Sequence, residues 1–375
     1  MAHSYTPGLK VAKKTTVRKR RVLPLKGTIM KKVGNKVSRD EVVAKTELPG
    51  NVSTLNVVNL LGIMPHEVES LLLKKTGDRI EKGEVIAESK SFIKWLRSKI
   101  TSPITGYVES VSLVTGQVLL RELPLPVEVK GYIDGQVVEE IPHEGIVVET
   151  AATFIQGIFG IGGEAWGRLT FAVNAPDETL TPDKLTTDLN GTVVVAGSFA
   201  GYDAIKKAQE TGVRGLIVGG IDDEELTHIL GYDLGVAITG TEDIGIVIIL
   251  TEGFGKIPMA ERTFRALKER EGCVASICGA TQIRAGVIRP EIIVPYDNGT
   301  MDFSSDELPE RQSIKIGDQI RIIRHPYFGR IGVVHSLPSE LCQIETETKA
   351  RVLEVAFPDG SSTLVPRANT ELIEG

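Results

Sequence analysis

Residues Lys75 to Glu122 read KTGDRIEKGEVIAESKSFIKWLRSKITSPITGYVESVSLVTGQVLLRE. Apolar and polar residues alternate through Val85 and Ala87, and again around Val108 and Val118. Gly77-Asp78, Lys82-Gly83, Ser102-Pro103 and Thr115-Gly116 punctuate the runs. Short alternating runs between such pairs predict half-buried strands joined by tight turns. The opening phrase has an earlier copy: Lys32-Val-Gly-Asn-Lys-Val-Ser-Arg-Asp-Glu-Val-Val-Ala44 aligns without a gap on Lys75-Thr-Gly-Asp-Arg-Ile-Glu-Lys-Gly-Glu-Val-Ile-Ala87. A phrase written twice implies one structural unit used twice. The expectation is that both copies fold into a single sandwich-shaped β domain.

The pattern G-D-x-[IV]-x-x-G-E-x-[IV]-A, followed by Ser102-Pro-Ile-Thr-Gly-Tyr-Val108, resembles the barrel-sandwich hybrid fold of biotinyl and lipoyl carrier domains. RNA polymerase, electron-transport and efflux proteins also use this fold. The resemblance covers roughly residues 24–130 and implies fold more than function. In carriers the modified lysine follows a Met, eight residues before the proline of the Ser-Pro turn. Trp95 holds that place here, with Lys94 beside it and no Met-Lys pair between Gly83 and Pro103. The resemblance therefore implies a docking surface rather than a carrier, and no cofactor is expected.

With 375 residues, 41% hydrophobic and 25% charged, the chain is an ordinary multidomain composition. Its longest apolar run, Ile244 to Leu250, is far too short to cross a bilayer. No apolar segment follows the basic residues of the N-terminus as a signal peptide would require. Cys273, Cys278 and Cys342 fit neither a disulfide framework nor metal-ligand spacing, which points to the cytoplasm and to buried small hydrophobes. The net charge of −6 hides an asymmetry. Twelve of the 43 Lys and Arg precede Asp40, where there is no acid, and the other 31 face all 49 Asp and Glu. A basic arm of this kind has two uses. Arg18, Lys19, Arg20 and Arg21 engage nucleic acid or another anionic surface through phosphate contacts, or they fold back on acids of the same chain or of a partner. Tyr5 is the arm's one stacking aromatic, so any nucleic-acid binding there is indifferent to sequence.

The expected fold class is a multidomain, β-rich α+β chain. Residues 1–21 form a basic flexible tail and 22–150 the barrel-sandwich β domain, with helical turns between Val52 and Leu73. Residues 151–189 are a glycine-rich connection whose amides suggest a tight crossing or hinge before a phosphate cradle, because the lysine of a P-loop is missing. Residues 190–295 alternate apolar strands with amphipathic helices: strands at 191–197, 214–220, 236–239 and 244–250, helices at 202–211, from Asp222 and at 258–270. That rhythm predicts a small α/β domain covered on both faces. It resembles swivelling β/α domains. Its strand ends, Gly197-Ser198, Gly219-Gly220 and Gly253-Phe-Gly255, with Asp203, Asp222, Asp223 and Glu252 nearby, mark a candidate small-ligand pocket; helix-start duty explains the same acids. Arg284 and Arg289 are candidate anion ligands, with an internal ion pair as the competing role.

Residues 296–313 read as a linker. Ile316-Gly-Asp-Gln-Ile to His335, with Lys349 to Glu374, resembles a KOW motif, which implies an SH3-like barrel over 314–375. In that family the loop carries basic and aromatic residues to RNA or polymerase; Arg321, Arg324, Tyr327 and Arg330 are the matching candidates. Glu340, Glu345, Glu347 and Glu354 surround them with acid, so a protein partner fits as well as RNA. The six scattered histidines form no HExxH, and no nucleophile stands at known spacing from a base. Catalysis and metal binding are not expected. The reading is a cytoplasmic interaction protein docking on a large assembly, with RNA or transcription and translation machinery as one setting. The alternative is a docking subunit of a multicomponent enzyme complex with a small-ligand site in the α/β domain.

Overall fold

Three strands begin with the same turn: Lys32-Val-Gly-Asn35, Lys75-Thr-Gly-Asp78 and Lys315-Ile-Gly-Asp318. In each, the N–H of the fourth residue donates to the lysine carbonyl at 3.0, 3.0 and 3.2 Å. The lysine N–H donates to the Asn or Asp side chain at 2.9, 2.7 and 2.7 Å. The glycine sits at φ +89°, +92° and +91°, where a side chain would strain the backbone. Its N–H reaches the neighbouring strand at Val137, Val108 or Val334, and that valine's N–H returns a bond to the turn. A four-residue phrase thus fixes both a turn and the register of the strand after it.

The computed structural model describes residues 9–89, 98–231, 242, 244–281, 288–296, 314–322, 327, 330–338, 341–343 and 349–372. Its first thirteen strands are β1 (Val11–Val22), β2 (Thr28–Ile29), β3 (Lys36–Val37), β4 (Val42–Leu48), β5 (Val52–Asn56), β6 (Arg79–Ile80), β7 (Val85–Glu88), β8 (Lys99–Thr101), β9 (Gly106–Val111), β10 (Gln117–Glu122), β11 (Leu125–Lys130), β12 (Gly135–Ile141) and β13 (Gly145–Gln156). Short helices α1 (Val57–Leu61) and α2 (Val68–Leu71) follow β5, where helical turns were expected.

The sequence repeat is one part of a larger structural duplication. Ile29 lies opposite Ala44 as Leu72 lies opposite Ala87. Lys31 pairs with Glu41 as Lys74 pairs with Glu84, and in each case the lysine holds the carboxyl below its usual range. The N–H of Gly131 donates to Glu41 and that of Ser102 to Glu84. Gly135 faces Val37 as Gly106 faces Ile80. Both following hairpins are bulged just after a valine, Val137 or Val108. Finally, β1 flanks β13 from Arg18 to Val22 as β5 flanks β10 from Val52 to Asn56.

The copies do not share a core, which corrects the expectation of one sandwich. Unit A, built from β1 to β4 and β11 to β13, buries Val37, Val43, Ile133, Val137, Ile146 and Val148. Unit B, residues 51–122, buries Val57, Val68, Ile80, Ile86, Val108, Val118 and Leu120. Each copy brings its own partner strands, so its alternation is satisfied within its own unit. Unit B is inserted where β4 meets β11, which pair from Leu48 opposite Leu125 onward. The corresponding hairpin in unit B is β7–β8, whose connection holds Lys94 and Trp95 and lies outside the described residues.

Two further boundaries differ from expectation. Residues 11–21, expected within a flexible tail, form with Val22 a strand paired antiparallel with β13 from Val11–Ile155 to Val22–Gly145. Ala12 and Val17 are buried between the lysines and arginines that masked the alternation. The boundary at 150 vanishes because β13 crosses it unbroken, pairing on its other side with β12 and then with a strand from the far end of the α/β region.

The glycine-rich connection contains β14 (Phe159–Ile161), β15 (Glu164–Phe171) and β16 (Thr179–Leu180). A Cβ on Gly160 would lie 2.7 Å from the Gly279 oxygen, and its N–H donates to Thr281 at 2.8 Å. Close strand packing explains this glycine, and its amide is taken. Next come β17 (Val193–Val195), β18 (Phe199–Ala200), α3 (Tyr202–Thr211), β19 (Gly215–Ile221), α4 (Asp223–Leu230), β20 (Val247–Phe254), α5 (Glu261–Lys268), β21 (Val274–Cys278) and β22 (Glu291–Pro295). Helix α3 ends at Gly212 (φ +82°), as its sequence predicts. The strand expected at 236–239 lies outside the described residues. Strands β15, β17, β19 and β20 run parallel. Val194, Leu216 and Ile248 face the core under α3 and α4, whereas Val193, Ile217 and Ile249 face the core under α5. Through β21, β22 and β13 this sheet continues into unit A as one thirteen-stranded sheet.

The C-terminal residues form a six-stranded antiparallel sheet: β23 (Gln319–Ile322), β24 (Ile331–Ser336), β25 (Leu341–Gln343), β26 (Lys349–Ala356), β27 (Ser362–Pro366) and β28 (Thr370–Leu372). Ile320, Val334, Leu353 and Val355 are its core. Gly360 (φ +82°) makes the β26–β27 turn anticipated at Asp359-Gly360. Among the described residues, no helix is long and apolar enough to cross a membrane.

Candidate functional site

The basic strand is engaged with acids of its own chain. Arg18 pairs with Glu149 at 2.5 Å, and Lys19 with Glu291. Arg21 makes a two-pronged contact with Glu164 at 2.6 and 2.7 Å, donates to the Lys130 carbonyl, and lies over the Tyr132 ring. Arg20 is exposed. The fold-back alternative is the arrangement seen, and only the planar guanidinium of Arg21 gives it fork geometry.

Tyr132 at the centre of this group was not singled out by sequence. It is 1% exposed, adopts φ +68°, and donates its hydroxyl to Glu291 at 3.3 Å. Burial pushes the phenol well above its usual range, and the charges of Glu291, Cys278 and Glu164 push the same way. Burial likewise raises the Cys278 thiol; Glu164 and Glu291 add to the rise, while the Ala280 amide and Lys19 oppose it. A thiol so placed stays protonated and is a poor nucleophile. The signal was present: Ile133-Asp-Gly-Gln-Val137 matches Ile104-Thr-Gly-Tyr-Val108, which sets Tyr132 where unit B has Pro103. Because the folded-state pKa is raised, the stabilisation is present below the unfolded tyrosine value near 10 and is lost as pH climbs above it. Urea unfolding at about pH 8 and about pH 11 should therefore show a smaller alkaline loss in Tyr132→Phe than in wild type. Identical losses would contradict the assignment.

The C-terminal candidates separate. Arg330 lies 3.8 Å over the Phe357 ring and pairs with Asp359 at 2.7 Å; Tyr327 packs on the same ring at 5.9 Å. Arg324 and Arg284 lie outside the described residues. Arg321, expected on a partner-facing surface, is 2% exposed. Its Nη2 donates to Glu252 at 2.9 Å and its Nη1 lies 3.7 Å from Glu371. Arg289 pairs with Glu371 at 3.1 Å, so the internal ion pair prevails over an anion site. Burial lowers the Arg321 pKa, Arg289 adds to that, and the two glutamates oppose it. Burial raises Glu371, against the pull of Arg289 and Arg321.

At three of the strand-end glycines the protein's own backbone takes the space a side chain would need. A Cβ on Gly219 would lie 2.2 Å from the Ile257 oxygen, on Gly220 2.1 Å from Gly255, and on Gly197 2.2 Å from Glu178. Glu252, at the same edge, accepts from the Ala260 N–H at the start of α5 through one oxygen and from Arg321 through the other. Asp203 and Asp223 occupy first helical turns and Asp222 precedes α4. Gly219→Ala should therefore destabilise by about 1–3 kcal/mol, an overpacking effect read by urea unfolding. An unchanged midpoint would show that the edge has room.

Among the described residues, no group of three or more His, Cys, Asp and Glu is placed to hold a metal ion. No model of a known protein family matches the chain, and neither does any curated protein sequence.

Proposed function

We propose that this protein is a non-catalytic docking component of a larger assembly, with unit B as its partner-facing module and a protein as its partner. The observation that carries this reading is the surface of unit B. It hangs on β4 and β11 with a core of its own, yet leaves Leu60, Met64 (63% exposed), Leu73, Leu113 and Val114 (87% exposed) in solvent. Contiguous exposed apolar side chains are a feature of interaction surfaces, and these five are proposed as parts of one such surface. The resemblances to barrel-sandwich and KOW-like modules agree with docking. Support for protein over RNA comes from the cations: Arg18, Lys19, Arg21, Arg321 and Arg330 all face carboxylates of the same chain, and phosphate would have to displace them.

Affinity capture from the native cell tests this, comparing the full chain with Leu113→Ser plus Val114→Ser. The wild-type chain should retain partners that the folded double variant loses. Filter binding to mixed RNA at two salt concentrations should show little retention at either. Undiminished capture by the variant, together with RNA affinity that falls steeply with salt, would replace docking by phosphate binding.

A further inference from the structure

Where the α/β region meets the C-terminal sheet, each side contributes one cation and one anion. The α/β side offers Glu252 and Arg289; the sheet offers Arg321 and Glu371, which are direct cross-strand partners on β23 and β28. The bonds cross the junction reciprocally, Arg321 to Glu252 and Arg289 to Glu371. Among the described residues, no apolar cluster spans it. The core around Ile320 and Val355 shares no residue with either core of the α/β region. Buried ion pairs give orientation and selectivity rather than net adhesion, because desolvation offsets most of their attraction. The fit is also incomplete: Arg321 Nε and Glu371 Oε1 are buried without a hydrogen-bond partner.

A junction selective in charge, with no core shared among the described residues, does not distinguish its own sheet from that of a second copy. We infer that the Glu252–Arg289 face is an exchangeable docking site, and that its trans occupant is the C-terminal sheet of a second copy of this chain. The exchange preserves both of these crossing ion pairs and yields a closed two-fold dimer. At low concentration the tethered sheet wins through its effective concentration; removing the cis match leaves only the trans arrangement.

Two full-length variants provide the test. One reverses the α/β side (E252R with R289E) and the other reverses the sheet side (R321E with E371R). Neither can latch in cis, since like charges then face each other. Mixed, each reversed face finds its complement on the other chain. Analytical ultracentrifugation should show each variant alone at 40.6 kDa and the equimolar mixture at twice that mass. A mixture that stays at the single-chain mass overturns the inference. Should either variant fail to fold, wild-type chain refolded from urea over a range of concentrations serves instead. A dimer fraction rising with concentration supports exchange, and monomer at every concentration overturns it.

Discussion

Glu371→Ala should lower the stability of the C-terminal sheet by about 3–5 kcal/mol, the loss expected when one member of a buried ion cluster is removed. Glu371 is fully buried, and the substitution leaves Arg289 and Arg321 to share Glu252. Most of the loss arises from a stranded cation rather than from a missing attraction. Replacing Arg289 and Glu371 together, by Met and Leu, should therefore recover most of it, because the Arg321–Glu252 pair stays balanced. Arg18→Ala, in an exposed pair, should cost under about 1 kcal/mol. Urea unfolding of the three variants checks the order. A Glu371→Ala loss no larger than that of Arg18→Ala would show that the cluster is hydrated and unimportant.

Excising residues 51–122 and joining Gly50 to Leu123 should leave the rest of the protein folded, and the excised unit should fold alone. The ends are already adjacent: the Glu122 N–H donates to the Asn51 carbonyl at 2.9 Å, and the Asn51 side chain to Glu122 at 3.0 Å. The cores of units A and B have no residue in common. A unit of about 70 residues with that many fully buried aliphatics lies within the size range of independently folding domains. Dispersed amide spectra from both pieces, with captured partners following the excised unit, are the expected outcome. A shortened chain that precipitates or loses its cooperative transition would show that unit B completes unit A.

The turns, the α/β rhythm and the C-terminal strands were legible because local chemistry settles them: glycine at positive φ, an Asn or Asp beside it, apolar residues at period two or 3.6. The nesting was not. Nothing local in Leu48-Pro49-Gly50 says that the partner of β4 arrives only at Leu125. Strand β1 was hidden because Lys13, Lys14, Arg18, Lys19, Arg20 and Arg21 crowd a segment with two buried aliphatics, and its pairing rests on residues beyond Gly145. Arg321 looked like a surface cation for the same kind of reason. Only the arrival of Glu252 and Glu371 makes its burial tolerable. The docking face proposed for unit B rests on side chains that hydropathy alone assigns to a core.

Because unit B interrupts unit A, the order of synthesis constrains the order of folding. Unit B is complete once Glu122 has emerged, whereas β1 has no neighbour to pair with until Gly145 to Ile155 follow. Collapse of unit B brings Leu48 and Leu125 together, so the loop that β1 must close behaves as one much shorter than its sequence length. The six cations of β1 meanwhile lack the carboxylates that Arg18, Lys19 and Arg21 later pair with, and like-charge repulsion of that kind disfavours pairing between two copies of the strand.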